Sequence, residues 1–411
     1  MPTAPIDDNG SFLRYADSGP PAKVYEHPYT TVVLIHGVCY NNGIFDRVLP
    51  FGSAQNLRIV TVNLRDYTGS TALSALDLER LNSEDPRERL LFLHDRVQEL
   101  ARFLLWFIET ESIPPPCSEA HTRGSVNGGI TLVGWSAGNH LTMCLLAYGA
   151  DILPQKQKNI LQKYLKSYVM FESPYHMAGL PTQKLGDQYF CAIDDPALDK
   201  NQFLDVLPTW VSSFYTHSRI VLDALSGISH GATISAPVQS LTDEEFLQGL
   251  AIIPDDPDVH TPTTLSIPPE VIESTEGIAR SDVPLMLLGR DIYHDVFERA
   301  FFTGYSSTLN GQENGFHDIR AKDGWLPQVR VEVVTCGRSI PICLWHAWKL
   351  YHALRETDVD HSAHSGSGNA TNANGTHSTQ RKVRFHLWRE FNHFPHWEEP
   401  FQFVQSLAKL I

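Results

Sequence analysis

The sequence predicts an α/β fold in which helices cover both faces of a mostly parallel sheet. Short apolar runs rich in β-branched residues recur along the chain, and helical apolar patterns separate them. A Gly-x-Ser-x-Gly turn joins one such run to a helical pattern. The chain of 411 residues, 42% of them hydrophobic, is long enough for one large domain with an insertion.

Six short segments are predicted to be buried strands, because each is apolar and β-branched and ends at polar or turn residues. They span 31–35, 58–62, 129–133, 168–171, 329–335 and 382–387. Apolar residues at helical spacing predict helices over 90–113, 141–148 and 342–354. Strands that alternate with helices in this way are expected to run parallel.

The strand pattern stops after about residue 175, and aromatic-rich helical stretches replace it at 203–214, 244–252 and 294–302. We therefore predict an α/β core of residues 1–174 and 328–411. A large, mainly helical lid of residues 175–327 is inserted in it, after the strand that ends near Glu172. Residues 357–380 are rich in Ser, Gly, Asn, Thr and His, which predicts a disordered loop within the core.

Composition argues against several kinds of partner. Lys and Arg number 32 against 47 Asp and Glu, so the formal net charge is −15, and no basic run could neutralise a nucleic-acid backbone. The N-terminus lacks the parts of a signal peptide, and no apolar run is long enough for a membrane span. We expect a soluble, cytoplasmic protein. The peroxisome is the alternative, although the C-terminal Lys409-Leu410-Ile411 does not match a clear peroxisomal signal.

Cysteine and histidine spacing indicates neither a disulfide framework nor a metal site. The 6 cysteines lie far apart and are expected to be buried free thiols. The 19 histidines form no ligand pattern. The sequence therefore predicts no metal and no cofactor.

Residues 134–138 read Gly-Trp-Ser-Ala-Gly and lie between an apolar strand and an apolar helix. The two glycines allow a sharp turn and close helix packing, which raises the serine hydroxyl above the edge of the sheet. We predict that Ser136 is a nucleophile. An earlier strand ends in His36-Gly37-Val38, so we assign the amides of Val38 and Ala137 to an oxyanion hole.

Residues 391–400 read FNHFPHWEEP and directly follow the last predicted strand. This segment resembles the histidine loop of the α/β-hydrolase superfamily, with Asn392 in place of the usual glycine. The resemblance covers about 31–172 and 329–411. It implies an α/β-hydrolase fold in which His393 is the general base for Ser136, with His396 as the alternative.

The acid of such a triad is usually an Asp in the turn after the strand that follows the lid. That turn, at 336–341, reads CGRSIP and has no carboxylate. Haloalkane dehalogenases and fungal zearalenone lactonases instead carry the acid after the strand that follows the nucleophile helix, where this chain has Glu172. We predict Glu172 as the acid. Asp291 is the alternative, although a lid helix is the preferred interpretation of its surroundings.

Serine with a histidine base suits acyl transfer, whereas a dehalogenase or an epoxide hydrolase needs a carboxylate at the nucleophile position. We expect a serine hydrolase that cleaves a small hydrophobic ester, lactone or thioester, similar to fungal hydrolases of secondary-metabolite and toxin pathways. The alternatives are acyl transfer or cyclisation by the same triad, and a non-catalytic ligand receptor. Candidate substrate contacts are the aromatic residues Trp135, Tyr175, Trp210, Phe214 and Tyr215.

Overall fold

A sheet of eight strands forms the centre of the computed structural model. The structure describes residues 2–22, 28–118, 126–181, 184–185, 187–189, 191–229, 241–302, 325–364 and 381–411. The strands in chain order are β1 (Thr3–Pro5), β2 (Phe12–Asp17), β3 (Thr30–Ile35), β4 (Leu57–Val62), β5 (Ile130–Trp135), β6 (Leu165–Phe171), β7 (Arg330–Cys336) and β8 (Val383–Trp388). Their order across the sheet is β1-β2-β4-β3-β5-β6-β7-β8.

The predicted parallel sheet is confirmed. All neighbouring pairs from β4 to β8 are parallel, and these six strands are the six that the sequence predicts. β1 and β2 are additional and antiparallel. They were not predicted because they mix exposed with buried residues, as antiparallel strands with one solvent-facing side do.

The inner strands bury all of their residues, because helices cover both faces of the sheet. Successive side chains of a strand point to opposite faces. Val33 and Ile35 accordingly belong to one hydrophobic cluster, and Val32 and Leu34 to the other. This two-sided burial holds the carboxyl ends of β3, β5, β6 and β7 in fixed positions along one edge of the sheet.

The main helices agree with the helical apolar patterns, and the structure adds several shorter ones. None of the described helices is long and apolar enough to span a membrane. The described α-helices of six residues or more are Ala75–Leu81, Pro86–Thr110, Asn139–Ile152, Gln155–Tyr164, Lys200–Ser212, Arg219–Ser229, Asp243–Gln248, Arg290–Phe301, Pro341–His364 and Pro400–Leu410.

The helix Pro341–His364 corrects part of the predicted loop at 357–380, because it continues through the first eight residues of that segment. Residues 357–365 contain neither glycine nor proline, so no residue there breaks the helix. Low-complexity composition was therefore a poor guide to where the helix ends. Residues 365–380 lie outside the described residues.

The segment between β6 and β7 adds no strand to the central sheet within its described residues. It contributes helices, short turns and one small pair of strands, Lys184–Leu185 with Gln188–Tyr189. The helix Arg219–Ser229 packs along the edge strand β8. Such cover protects the unpaired backbone groups of an edge strand.

The helix Arg290–Phe301 differs from the rest of this inserted segment. We predicted a lid helix here, but it packs against Asn139–Ile152 on one face of the sheet. Its residues Val296 and Ala300, one turn apart, are fully buried in the cluster on that face. A hydroxyl–carboxylate hydrogen bond of 2.9 Å from Tyr148 to Asp295 adds to this contact. This helix is therefore part of the core layers rather than of a cover over the sheet edge.

Candidate active site

Ser136 lies in the sharp turn between β5 and the helix Asn139–Ile152. Its φ of 52° is in the left-handed region, which a residue with a side chain adopts only when its surroundings impose it. A Cβ atom on Gly138 would lie 2.5 Å from the carbonyl oxygens of Ile35 and His36, and one on Gly134 would lie 2.9 Å from the Cα of Asn139. The two glycines of the predicted turn are thus required by close backbone approach.

Glu172 and His393 form a buried pair next to this turn. Glu172 directly follows β6, with a φ of 55°, and its Oε2 lies 2.6 Å from Nδ1 of His393. Both side chains are almost completely buried, with relative exposures of 0% and 1%. A carboxylate in this position holds the proton of the imidazole on Nδ1, which leaves Nε2 as the basic nitrogen.

The carboxylate of Glu172 is held from both sides by the turn that follows β7. Its Oε1 accepts a hydrogen bond of 2.6 Å from the amide of Cys336, and its Oε2 accepts one from the hydroxyl of Ser339. The hydroxyl of Ser339 also lies 3.3 Å from Nδ1 of His393. The sequence of this turn has no carboxylate, and no local pattern in it marks Ser339 as a partner of the acid.

Nε2 of His393 is buried and has no hydrogen-bond partner among the described residues. The nearby indole of Trp135 donates to the backbone oxygen of His393 at 3.1 Å and so fixes the loop that carries the ring. An imidazole with one nitrogen fixed by a carboxylate and the other left unbonded is suited to take a proton.

The two alternatives to this pair lie elsewhere. His396 is packed among the rings of Trp135, Phe45 and Phe403, and burial holds its pKa well below the ordinary value. It is therefore a neutral core residue. Asp291 is exposed on the first turn of Arg290–Phe301. The histidine that contacts Glu172 is His393 and not His396, and the carboxylate that contacts His393 is that of Glu172 and not that of Asp291.

The loop after β3 lies against Ser136. A Cβ atom on Gly37 would approach the Cβ of Ser136 to 2.8 Å, and Val38 and Ala137 share a cavity with Ser136. His36 fixes the base of this loop, since its Nε2 accepts a hydrogen bond of 3.0 Å from the amide of Leu64. Its other ring nitrogen lies 2.8 Å from the oxygen of Gly37.

Asp282 in the inserted segment holds the same loop from the other side. Its Oδ2 accepts hydrogen bonds from the hydroxyl of Tyr67 at 2.5 Å and from the amide of Cys39 at 3.4 Å. Cys39 itself has a φ of 71° and its oxygen accepts from the amide of Glu273 at 2.7 Å. Asp282 was not predicted from the sequence, because its partners are more than 200 residues away along the chain.

A cavity opens above Ser136, and its wall is mostly apolar. Ser136, His176 and Cys191 are the polar residues among those that line it. The apolar side chains come from the loop after β3, from the inserted segment and from the turn after β7. They are Val38, Ala137, Pro174, Ile193, Phe203, Leu207, Trp210, Val211, Met286, Ile340 and Ile342.

Trp210 is the one predicted substrate contact on this wall. Trp135 and Tyr175 are buried beneath it, and the hydroxyl of Tyr175 donates to Asp194. Tyr215 is fully buried with its hydroxyl bonded to the oxygen of Trp210, and Phe214 lies under the guanidinium of Arg338. These four aromatic residues stabilise the packing of the inserted segment and the core, because large rings at such positions bury more area than any other side chain.

Glu172, Cys343 and His393 are the one group in the described part of the chain whose ligand atoms lie close enough to share a metal ion, within 4.8 Å. Two observations disfavour that use. The oxygens of Glu172 are already bonded to Cys336, Ser339 and His393. Burial raises the pKa of the Cys343 thiol well above its ordinary value, which opposes the thiolate that binds metals. This donor set does not fit a metal ion.

No protein-family model matches the chain, and no curated protein sequence does either. Among solved structures it is similar to a bromoperoxidase from Bacillus anthracis, at 12% identity and a TM-score of 0.39, covering 100% of this chain and 99% of the other. It is also similar to an esterase from Thermogutta terrifontis, at 10% identity and a TM-score of 0.41, covering 97% of this chain and 93% of the other. A third similar structure is the thioesterase domain from the curacin biosynthetic pathway, at 14% identity and a TM-score of 0.42, covering 100% of this chain and 98% of the other.

Two features of the chain itself identify its fold class. The strand order runs β1-β2-β4-β3-β5-β6-β7-β8, and a strained serine turn joins β5 to the helix behind it. A serine raised at the top of such a sheet by a strand-turn-helix unit is the mark of one architecture. The chain has the α/β-hydrolase fold.

Proposed function

We propose that this protein is a serine hydrolase that cleaves a small hydrophobic ester, lactone or thioester. The observation that carries the proposal is the buried contact of 2.6 Å between Glu172 and His393, beside a serine held in a strained turn at the base of an apolar cavity. A nucleophile, a base and a group that orients the base are the parts that acyl transfer needs.

In the first half-reaction, the hydroxyl of Ser136 attacks the carbonyl carbon of the substrate, and Nε2 of His393 accepts the hydroxyl proton. The resulting oxyanion is stabilised by the amides of Val38 and Ala137, and the imidazolium by the carboxylate of Glu172. The tetrahedral species then collapses, His393 returns its proton to the leaving oxygen or sulfur, and an acyl-enzyme on Ser136 remains.

In the second half-reaction, water attacks the acyl carbon while His393 accepts its proton. Collapse of the second tetrahedral species breaks the bond to Oγ of Ser136, which regains the proton as the acid leaves. Hydrogen bonds from Cys336, Ser339 and His393 hold the Glu172 side chain in place throughout.

The wall of the cavity supports an apolar acyl group. Side chains such as Phe203, Leu207 and Met286 offer dispersion contacts and no hydrogen bonds. Pockets that bind small molecules are usually of this kind, with a few polar groups to fix orientation. The residues from 174 to 286 that contribute to the wall support the proposal of a lid over the site.

Ser136→Ala is the direct test. The variant should lose hydrolysis of medium-chain 4-nitrophenyl esters by several orders of magnitude and should not react with a fluorophosphonate probe, because the attacking oxygen is gone. Ser229→Ala is the matched control, since that hydroxyl bonds back to the oxygen of Leu225 in its own helix. It should keep full labelling and activity.

Stoichiometric labelling of the Ser136→Ala variant would refute Ser136 as the nucleophile. A wild-type protein that neither labels nor hydrolyses any ester, lactone or thioester would instead favour a non-catalytic receptor. Adding alcohols and amines to the wild-type reaction separates hydrolysis from acyl transfer, because a transferase forms the new ester or amide in preference to the free acid.

A further inference from the structure

Three histidines outside the Ser136–His393–Glu172 set converge behind the cavity. His140 begins the second turn after Ser136, His176 lies in the short turn Tyr175–Ala178 that follows Glu172, and His346 comes from the helix after β7. The ring centroids of His140 and His176 are 5.7 Å apart. The proposed mechanism uses none of them.

Most ring nitrogens of this histidine cluster lack a hydrogen-bond partner. Both nitrogens of His140, both of His176 and Nε2 of His346 are buried without one among the described residues. Buried polar atoms in native proteins are nearly always paired, because an unpaired one costs about 1–3 kcal/mol. Apolar side chains would fill the same space at lower cost, so these imidazoles call for a functional explanation.

His176 connects the cluster to the cavity. It is half-buried and lines the wall, where the other polar residues are Ser136 and the thiol of Cys191. A thiol is a weak donor and a weak acceptor, and the indole of Trp210, which also lines the wall, can only donate. Apart from the serine, His176 is therefore the side chain best able to hydrogen-bond a molecule in this cavity.

The charge state of the cluster selects the kind of group it can bind. Burial lowers the pKa of His176 to about 4 and that of His346 to about 3, and it holds the pKa of His140 well below the ordinary value. All three rings are thus neutral near pH 7, each with one N–H and one lone pair. A hydroxyl, which both donates and accepts, matches them, whereas a carboxylate would bring an unpaired charge into an apolar site.

The ring of His176 is free to present a nitrogen to the cavity. Both of its nitrogens are buried, and its ring centroid lies 5.7 Å from that of His140 and 6.1 Å from that of Tyr293. A half-turn about the Cβ–Cγ bond exchanges the nitrogen and carbon positions of the ring. No hydrogen bond among the described residues opposes that turn, since neither nitrogen makes one.

We propose that His176 is a specificity-determining residue that hydrogen-bonds a hydroxyl group on the otherwise apolar acyl part of the substrate. The buried His140 and His346 are polar neighbours of His176. This inference deepens the proposed function and rests on it, because it names the substrate class as hydroxylated hydrophobic acyl compounds.

The test compares a medium-chain methyl ester with analogues that carry one hydroxyl on successive carbons of the acyl chain. At one position, the hydroxyl should raise kcat/KM of the wild-type protein by about tenfold, the value of one buried hydrogen bond to an otherwise unpaired group. His176→Phe should remove that preference while keeping the ring size. His176→Gln, which still donates and accepts, should restore part of it.

Met286→Leu is the matched control, because it alters the same wall without touching a hydrogen-bonding group, and the hydroxyl preference should persist in it. A preference that survives in a folded His176→Phe protein, or no preference at any position, would overturn the proposal.

The binding of the same esters to the Ser136→Ala variant, measured by titration calorimetry, separates this result from failure of the proposed function. A His176-dependent hydroxyl preference in binding without any hydrolysis by the wild type would refute the hydrolase and retain the hydroxyl site. Hydrolysis without a preference would do the reverse.

Discussion

Ser136 and Glu172 share an unusual backbone conformation. Each is the first residue after a parallel strand, and their φ angles are 52° and 55°, values that side chains disfavour. The neighbouring strands β5 and β6 thus end in two similar strained turns that carry a hydroxyl and a carboxylate. Strain of this kind persists only where the surrounding packing imposes it, and it concentrates at functional sites.

Glu172→Gln tests the acid at this scale. The amide keeps the shape of the side chain but removes the charge that supports the imidazolium, so we expect the rate of ester hydrolysis to fall by roughly 10³–10⁴. Asp291→Asn is the control and should leave the rate unchanged, because Asp291 is exposed on the first turn of a helix that packs against Asn139–Ile152. Both are compared at one pH, after labelling of Ser136 confirms folding. An active Glu172 variant together with an inactive Asp291 variant would show that the acid is Asp291.

The sequence predicted the residues of this site unevenly. The sequence singles out Ser136, Glu172 and His393 as candidates because each lies at or shortly after the end of a strand, in a local pattern that a single sequence shows. Ser339 and Asp282 are not singled out, since their roles arise from contacts between segments far apart along the chain. Of the aromatic residues predicted as substrate contacts, Trp210 alone lies on the cavity wall. The prediction could not separate them, because a ring in a packed core has the same local sequence as a ring on a cavity wall.

At the scale of elements, strands and long helices were predictable because burial on both faces leaves long apolar runs. β1 and β2 were not, since their partly exposed residues resemble loops. The helix Arg290–Phe301 was predicted as an element but assigned to the wrong layer. Helical spacing shows which face of a helix is apolar, and it does not show which surface that face covers.

Phe301→Ala tests the position of this helix. The ring is fully buried in the cluster on one face of the sheet, so its loss should lower the free energy of unfolding by about 3–5 kcal/mol. Leu265→Ala is the control in the inserted segment, where the side chain is 72% exposed, and it should have almost no effect. Urea denaturation of both variants gives the comparison. A loss below about 1 kcal/mol for Phe301→Ala would contradict packing of the helix on the core.

At the scale of the whole molecule, Asp282 joins the inserted segment to the loop beside Ser136. Burial raises the pKa of its carboxyl from 3.8 to about 7, despite the hydrogen bonds from Tyr67 and Cys39. Between about pH 4 and 7 the folded protein therefore retains a proton that the unfolded chain has released. Stability is lost as the pH rises through that range, because folding then requires either proton uptake or a buried charge.

Asp282→Asn removes this titration while keeping a side chain of the same shape. Relative to the variant, the wild-type protein should lose stability between pH 4 and pH 8, by an amount on the order of 4 kcal/mol at most. Melting temperatures of the two proteins across this range provide the measurement, and other titrating groups cancel in the difference. Parallel curves for the two proteins would mean that Asp282 titrates normally.

The distribution of cysteines allows a label to be attached to the protein at a single position. All six are free, and Cys117 alone among them is exposed, whereas the thiol of Cys343 near His393 is buried and held in its protonated form. Cys117 lies in a small strand pair whose partner, Val126–Asn127, precedes β5, at the end of the sheet opposite Ser136. A maleimide dye or tether would therefore attach at one place, remote from the cavity, and report on the protein without chemical modification of the candidate site.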